Sequence, residues 1–128
     1  MQRFNPAGVP IPGSNYSQGV IHQSHGKRLV IAGQVGARVD GSVVEDLGAQ
    51  IELAFANFMT VLAAAGMGPE HLVKITAYAV SPEALLLYRA ARDAAFKGHA
   101  PASTYVQVAG LASPDFLFEV DGEALLEG

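Results

Sequence analysis

Leu72-Val73-Lys74-Ile75-Thr76-Ala77-Tyr78-Ala79-Val80, followed at once by Ser81-Pro82-Glu83, decides the architecture. Val73, Ile75, Ala77 and Ala79 alternate with Lys74, Thr76 and Tyr78, which is the period of two that a half-buried strand requires. Ser81-Pro82-Glu83 then predicts a helix with Ser81 as N-cap and Pro82 at the first position, where a missing N–H costs no hydrogen bond. That helix is expected to run to about Lys97 and to stop at Gly98. Beyond it, Ala102 to Ala109 reads as another strand, so strand, helix and strand follow one another as in a βαβ crossover.

The same logic extends upstream. Ile51, Phe55, Phe58, Met59 and Leu62 fall at i, i+4, i+7, i+8 and i+11, one side of an α-helix. Its start is expected near Glu45 or Asp46, acidic residues suited to the positive end of the helix dipole, and Gly66 supplies the stop. An Asp40-Gly41 turn precedes it. Gly19 to His22 and Arg28 to Gly33 are short apolar runs joined by residues 23–27, which predicts an antiparallel hairpin. Phe116 to Asp121 follows Gly110 and Ser113-Pro114-Asp115 as a last strand. Met1 to Ser17 carries Pro6, Pro10 and Pro12 and is read as a lead-in arm without a regular element. The order is β-β-α-β-α-β-β, an α+β fold with a mixed sheet and both helices on one face, in a single domain over residues 1–128.

Composition narrows the function. The 128 residues hold 8 Lys and Arg against 12 Asp and Glu, a net charge of -4, and only 16% are charged while 50% are hydrophobic. So little charge implies that one face, the sheet face without helices, is covered by further copies of the chain. With no cysteine, disulfides, thiol nucleophiles and cysteine metal sites are excluded, and a reducing cytoplasm fits. An acidic balance without a basic cluster beyond Lys27-Arg28 argues against nucleic acid as partner. No apolar stretch is expected to reach the ~20 residues of a bilayer span, and no export leader is visible between Met1 and Gly19.

No motif that specifies a reaction by itself is present: there is no phosphate loop, no Gly-x-Gly-x-x-Gly, no His-Glu-x-x-His and no Gly-x-Ser-x-Gly. His22 and His25, i, i+3 in the loop region, offer only two ligands without a nearby carboxylate, and with His71 and His99 they read as solvated, so no metal is expected. Polar residues inside apolar strands remain as candidates. Ser103, Tyr105 and Gln107 share one face of their strand. Glu119 is a carboxylate between Phe118 and Val120, expected on a face whose neighbouring strand presents Ser103, Tyr105 and Gln107, and either an exposed rim group or a proton carrier. Tyr16 and Gln18 join the arm to the first strand. Arg89 and Arg92, i, i+3 on the second helix, read as a solvated basic face or as partners of Glu83 and Asp93.

Tyr16-Ser17-Gln18-Gly19, Leu29 through Gln34-Val35, Asn57 through Ala64-Ala65-Gly66, Pro101-Ala102-Ser103-Thr104 and Phe118-Glu119-Val120-Asp121 together resemble the RidA/YjgF/YER057c family, whose members also carry the label endoribonuclease L-PSP. The resemblance covers nearly the whole chain. It implies a chorismate-mutase-like fold and a homotrimer with a central barrel. It also implies small-molecule pockets at the subunit interfaces and hydrolysis of imines or enamines to carbonyl compounds and ammonia without a bound cofactor. It places Tyr16, Ala32, the Gly33 backbone, Arg89, Ser103 and Tyr105 around the ligand and Glu119 as the group that orients or deprotonates water. Ser103 stands where those enzymes carry a carboxylate-binding arginine, Ala32 where they often carry serine, and Tyr105 where cysteine is frequent. Two readings follow: a hydrolase of altered substrate range, or a non-catalytic ligand-binding trimer that keeps the pocket.

Overall fold

The computed structural model describes every residue except Pro10, Ser24 and Gly128. Its elements are β1 (Gln2–Phe4), β2 (Gly19–Ile21), β3 (Lys27–Val35), α1 (Leu47–Ala64), β4 (Leu72–Ala79), α2 (Ala84–Phe96), β5 (Ala102–Gln107) and β6 (Phe118–Leu126), with a 3-10 turn at Pro69–His71. The main sheet has the order β3-β6-β4-β5. β4 and β5 are parallel, and β6 runs antiparallel to β3 and β4 on either side of it. Both helices therefore close connections between parallel strands. α2 links adjacent strands, whereas α1 links β3 to β4 with β6 inserted between them.

The α1 stripe faces the sheet as its spacing predicts. Ile51, Phe55, Phe58 and Leu62 are buried with Ala54 between them, and Met59 sits at the edge, half-buried. Against them lie Ile31 from β3, Ile75, Ala77 and Ala79 from β4, and Phe118, Val120 and Ala124 from β6. The small alanines of β4 leave room for rings. Phe55 meets Phe96 edge-on at 5.6 Å and lies 5.9 Å from Phe118 and 6.0 Å from Tyr88. A Cβ on Gly122 would come within 2.7 Å of the Lys74 carbonyl and 2.9 Å of Phe58 Cζ. Glycine there lets β6 pass under Phe58, and the strand continues to Leu126, past the expected end at Asp121.

The helix ends differ in detail from the sequence reading. Asp46 is the N-cap of α1, accepting from the Ala49 amide at 2.9 Å, and Glu45 lies before the helix. Ser81-Pro82-Glu83 forms a preceding turn in which Ala84 N donates to Ser81 O, so α2 begins at Ala84 and Ser81 is not its N-cap. Lys97 at φ 52° and Gly98 at φ 85° turn the chain left-handed and end it as expected.

Three expectations are corrected. β2 and β3 do not form a hairpin: β2 pairs with β1, and β3 pairs with β6. A nine-residue partner that places Ile31 in the core is worth more than a three-residue one; of the intended 23–27 loop, Ser24 lies outside the described residues. The arm does hold a strand, because Gln2–Phe4 precedes all its prolines and keeps every N–H. Arg3 staples that strand, donating to the carbonyls of Ala100 at 3.1 Å and Leu72 at 3.2 Å. Finally, α1 is by length and composition long and apolar enough to cross a membrane, contrary to the reading of its sequence. In this fold it packs against the sheet and α2.

Candidate functional site

Strand register divides the candidate residues between the two faces of the sheet. Ala77 pairs with Tyr105 and Ile75 with Ser103, so both β5 residues point to the helix side with the core of β4. Tyr78 pairs with Glu119, so that carboxylate points to the side without helices. The expectation that Glu119 shares a face with Ser103, Tyr105 and Gln107 is therefore overturned. β6 lies next to β4 and β3 and not next to β5, and a period of two puts Glu119 on the opposite surface.

On the helix side, β5 and α2 enclose a cavity of about 190 Å³ lined by Ser14, Tyr16, Leu85, Tyr88, Arg89, Arg92, Ser103 and Tyr105. The arm brings Tyr16 there through its neighbour: the Ser17 amide donates to the Pro101 carbonyl at 3.2 Å, and its hydroxyl donates to Ala100 O. Tyr88 reaches down from α2, its ring 4.9 Å from that of Tyr105 and its hydroxyl 3.1 Å from Ser103 Oγ. Burial, with the neighbouring Tyr88, pushes the Tyr105 phenol above its ordinary range, against a smaller opposing pull from Arg89. Tyr105 is thus a neutral donor at ordinary pH. Its hydroxyl is buried and has no hydrogen-bond partner, and the same holds for Nη2 of Arg92.

Arg92 corrects the reading of a solvated basic face, since only 2% of it is exposed. Its guanidinium lies 5.3 Å from the Tyr88 ring centre, and Nε donates to Asp93 Oδ1 at 3.1 Å. Arg89, half-buried, lines the same cavity. Tyr88 and Arg92 are the lining residues whose importance sequence reasoning missed. A signal existed: positions 84, 88, 92 and 96 form the inward stripe of α2, and a charge inside the series Ala84, Tyr88, Phe96 breaks its apolar pattern.

On the other face, the β3–β6 register shifts between Ile31 and Gln34, and the bulge presents Ala32 and Gly33. The Glu119 carboxylate lies over Gly33, in space that a Cβ would take. Along the same surface Tyr78 donates to Asp121 Oδ2 at 2.9 Å, and that bond holds the phenol above its usual range. Gln18 remains at the surface, its amide donating to Asn5 Oδ1. His22 and His25 are exposed, and His71 Nδ1 accepts from the Gly68 amide. Among the described residues no three His, Asp or Glu groups gather where a metal ion could be held.

The pattern of the Endoribonuclease L-PSP family matches residues 8–126. The RutC family protein YjgH of Escherichia coli (strain K12) is 40% identical over 58 residues, 45% of this chain and 44% of that protein, so the alignment spans less than half of the curated relative. Among solved structures, the conserved Rid-family protein YyfB from Yersinia pestis is 34% identical over 98% of each chain, with a TM-score of 0.87. RidA from an Antarctic Psychrobacter, 24% identical over 98% of this chain and all of that one, shares the fold with a TM-score of 0.74. The register, the bulge at Gly33 and the cavity under α2 thus lie in a chain that belongs to the Endoribonuclease L-PSP family, the Rid/YjgF proteins.

Proposed function

We propose that this protein is a Rid-type hydrolase that converts a small imine or enamine, or a related carbonyl derivative, to the carbonyl compound and ammonia. It works as a homotrimer whose sheets form a central barrel. The observation that carries this reading is the split of the candidate groups: Glu119 and Gly33 lie on the open sheet face, and the cavity with Tyr16, Ser103 and Tyr105 lies on the other side. Neither half is a complete site. A neighbouring copy that sets its Glu119 and Gly33 against the cavity of the next completes it, and the same contact covers the face that one chain leaves without helices.

The chemistry needs a water beside the electrophilic carbon and a group that moves its proton. Glu119 accepts a proton as water oxygen bonds to the C=N carbon and the π electrons pass to nitrogen. The same carboxyl delivers that proton to the nitrogen, which gives the carbinolamine. It then takes the hydroxyl proton and passes it to the amino nitrogen as the C–N bond breaks, so the carbonyl forms and ammonia leaves. The Gly33 backbone lets Glu119 approach, and Tyr16 with Tyr105 supplies donors to the ligand. Ser103 cannot make the paired, charge-assisted bond of an arginine, so β5 no longer anchors a carboxylate and the substrate range is changed. A ribonuclease reading is disfavoured by the acidic balance.

The test is ammonia release from freshly generated 2-iminopropanoate and from an uncharged imine, each against the uncatalysed rate. Acceleration of either supports the hydrolase. Acceleration of neither, with ligand binding retained, replaces it with the ligand-binding trimer.

A further inference from the structure

Among the described residues Arg92 is the one buried side chain that carries a full charge. It occupies a position of α2 where an apolar residue would pack without losing hydration, and an arginine cannot shed its charge to escape burial. Asp93, half exposed, takes Nε at 3.1 Å. Nη2 is left without an acceptor, and so is the buried Tyr105 hydroxyl on the same cavity. Within one chain these two buried donors are unpaired, and a ligand acceptor with negative charge suits a guanidinium, while the neighbouring copy's Glu119 serves the reacting carbon. The cavity holds about 190 Å³, roughly six water molecules at ~30 Å³ each, the scale of an acid of a few carbons. Leu85 gives one wall apolar character, and the Tyr88 ring under the guanidinium adds a cation–π contact.

We infer that Arg92 anchors the carboxylate of a small 2-oxo or 2-imino acid in this cavity, with Tyr105 as second donor. The cation that the family resemblance implies at the position of Ser103 on the strand is then supplied from the facing helix. The inference rests on the reading that this cavity receives the substrate, and it separates Arg92 from Arg89, which lines the same space without being fully buried. A planar carboxylate offers two oxygens to the guanidinium edge, and the neutral Tyr105 phenol donates to one of them. Ser103, engaged by Tyr88, keeps that ring in place beside the anion.

The experiment is calorimetric titration of the full-length protein with 2-oxobutanoate and with uncharged butanone, repeated on Arg92→Gln, Arg92→Lys, Arg89→Gln and Tyr105→Phe. The acid should bind at least about tenfold more tightly than the ketone. Arg92→Gln should remove that preference, Arg92→Lys should restore part of it, and Arg89→Gln should weaken it less than Arg92→Gln. If Arg92→Gln does not fold, Tyr105→Phe decides. It should raise the melting temperature of the free protein, because an unpaired buried donor is gone, while shrinking the stabilisation that 2-oxobutanoate gives. Equal binding of acid and ketone, no binding of the acid, or an unchanged acid preference in Arg92→Gln or Tyr105→Phe overturns the anchor. Ammonia release is assayed separately. A protein that prefers the acid through Arg92 and hydrolyses no imine would refute the hydrolase and leave the anchor standing.

Discussion

The carboxylate of Glu119 occupies the volume that a side chain on Gly33 would fill. The register bulge between Ile31 and Gln34 makes this contact by presenting Gly33 to the strand beside it. A glycine is required there for space rather than for backbone angle, since Gly33 is not among the residues with positive φ. Gly33→Ala should push the flexible end of Glu119 aside and leave the fold intact. Imine turnover should fall by about tenfold or more with a nearly unchanged melting temperature, and equal turnover would show that the carboxylate's place is immaterial.

If Glu119 moves the proton, Glu119→Gln should lower kcat by ~10²-fold or more, the range of general acid–base contributions. Assembly and melting should stay close to the parent. Tyr16→Phe removes one positioning hydroxyl and should cost about 1 kcal/mol. Steady-state kinetics beside thermal melts check both. A Glu119→Gln variant with full turnover, or one that falls apart, would return this residue to a structural role.

Light scattering at micromolar concentration should give three times the monomer mass. The sheet face with Val30, Tyr78 and Glu119 carries no helix, and Val30 is 64% exposed in one chain. A monomer at these concentrations would leave the two halves of the site unconnected.

Gln50 should matter for stability and not for chemistry. Fully buried in α1, it donates to Val44 O at 2.8 Å and to Asp115 O at 3.0 Å, and accepts from Leu117 N at 2.6 Å. Those bonds tie the turn after Gly41 and the approach to β6 to one helix. Gln50→Leu keeps the volume and strands three backbone groups, each costing roughly 1 to 3 kcal/mol. Urea unfolding should show a loss of about 3 kcal/mol or more.

Tyrosine ionisation gives a pH signature. Tyr78 and Tyr105 are both raised, one by its bond to Asp121 and the other by burial. A raised phenol favours the folded state fully below the ordinary tyrosine range, and that contribution is lost as pH climbs through the folded value. Absorbance titration should place Tyr78 and Tyr105 above the ordinary tyrosine range. Tyr105→Phe and Tyr78→Phe should each remove one of them.

The strands and helices were legible because their signals are local. The alternation in 75–79 and the stripe Ile51, Phe55, Phe58, Leu62 each report one buried face, and burial is what the period encodes. A register shift between Leu72 and Lys74, by contrast, puts Leu72 into the core in place of the expected Val73. The glycine stops at Gly66 and Gly98 act within a single turn. Partner choice is not local. Nothing within residues 19–35 says that β3 prefers β6 to β2, because that depends on which pairing buries more apolar surface once α1 has docked.

The candidate site divides along the same line. The sequence by itself identified Glu119, Tyr16, Ser103 and Tyr105 as polar residues in unusual places, and the family to which the chain belongs. Only tertiary structure decided that Glu119 and Tyr105 lie on opposite faces, since a face is assigned by the neighbour in register: Tyr78 for one and Ala77 for the other. It also decided that Arg92 is buried while Arg89 is only partly covered. Their spacing of three on the helix states how far apart they are around the axis. Which of them meets the sheet depends on how α2 is rolled against β4 and β5, and that roll is set by the packing of Tyr88 and Phe96 among the aromatic rings of the core.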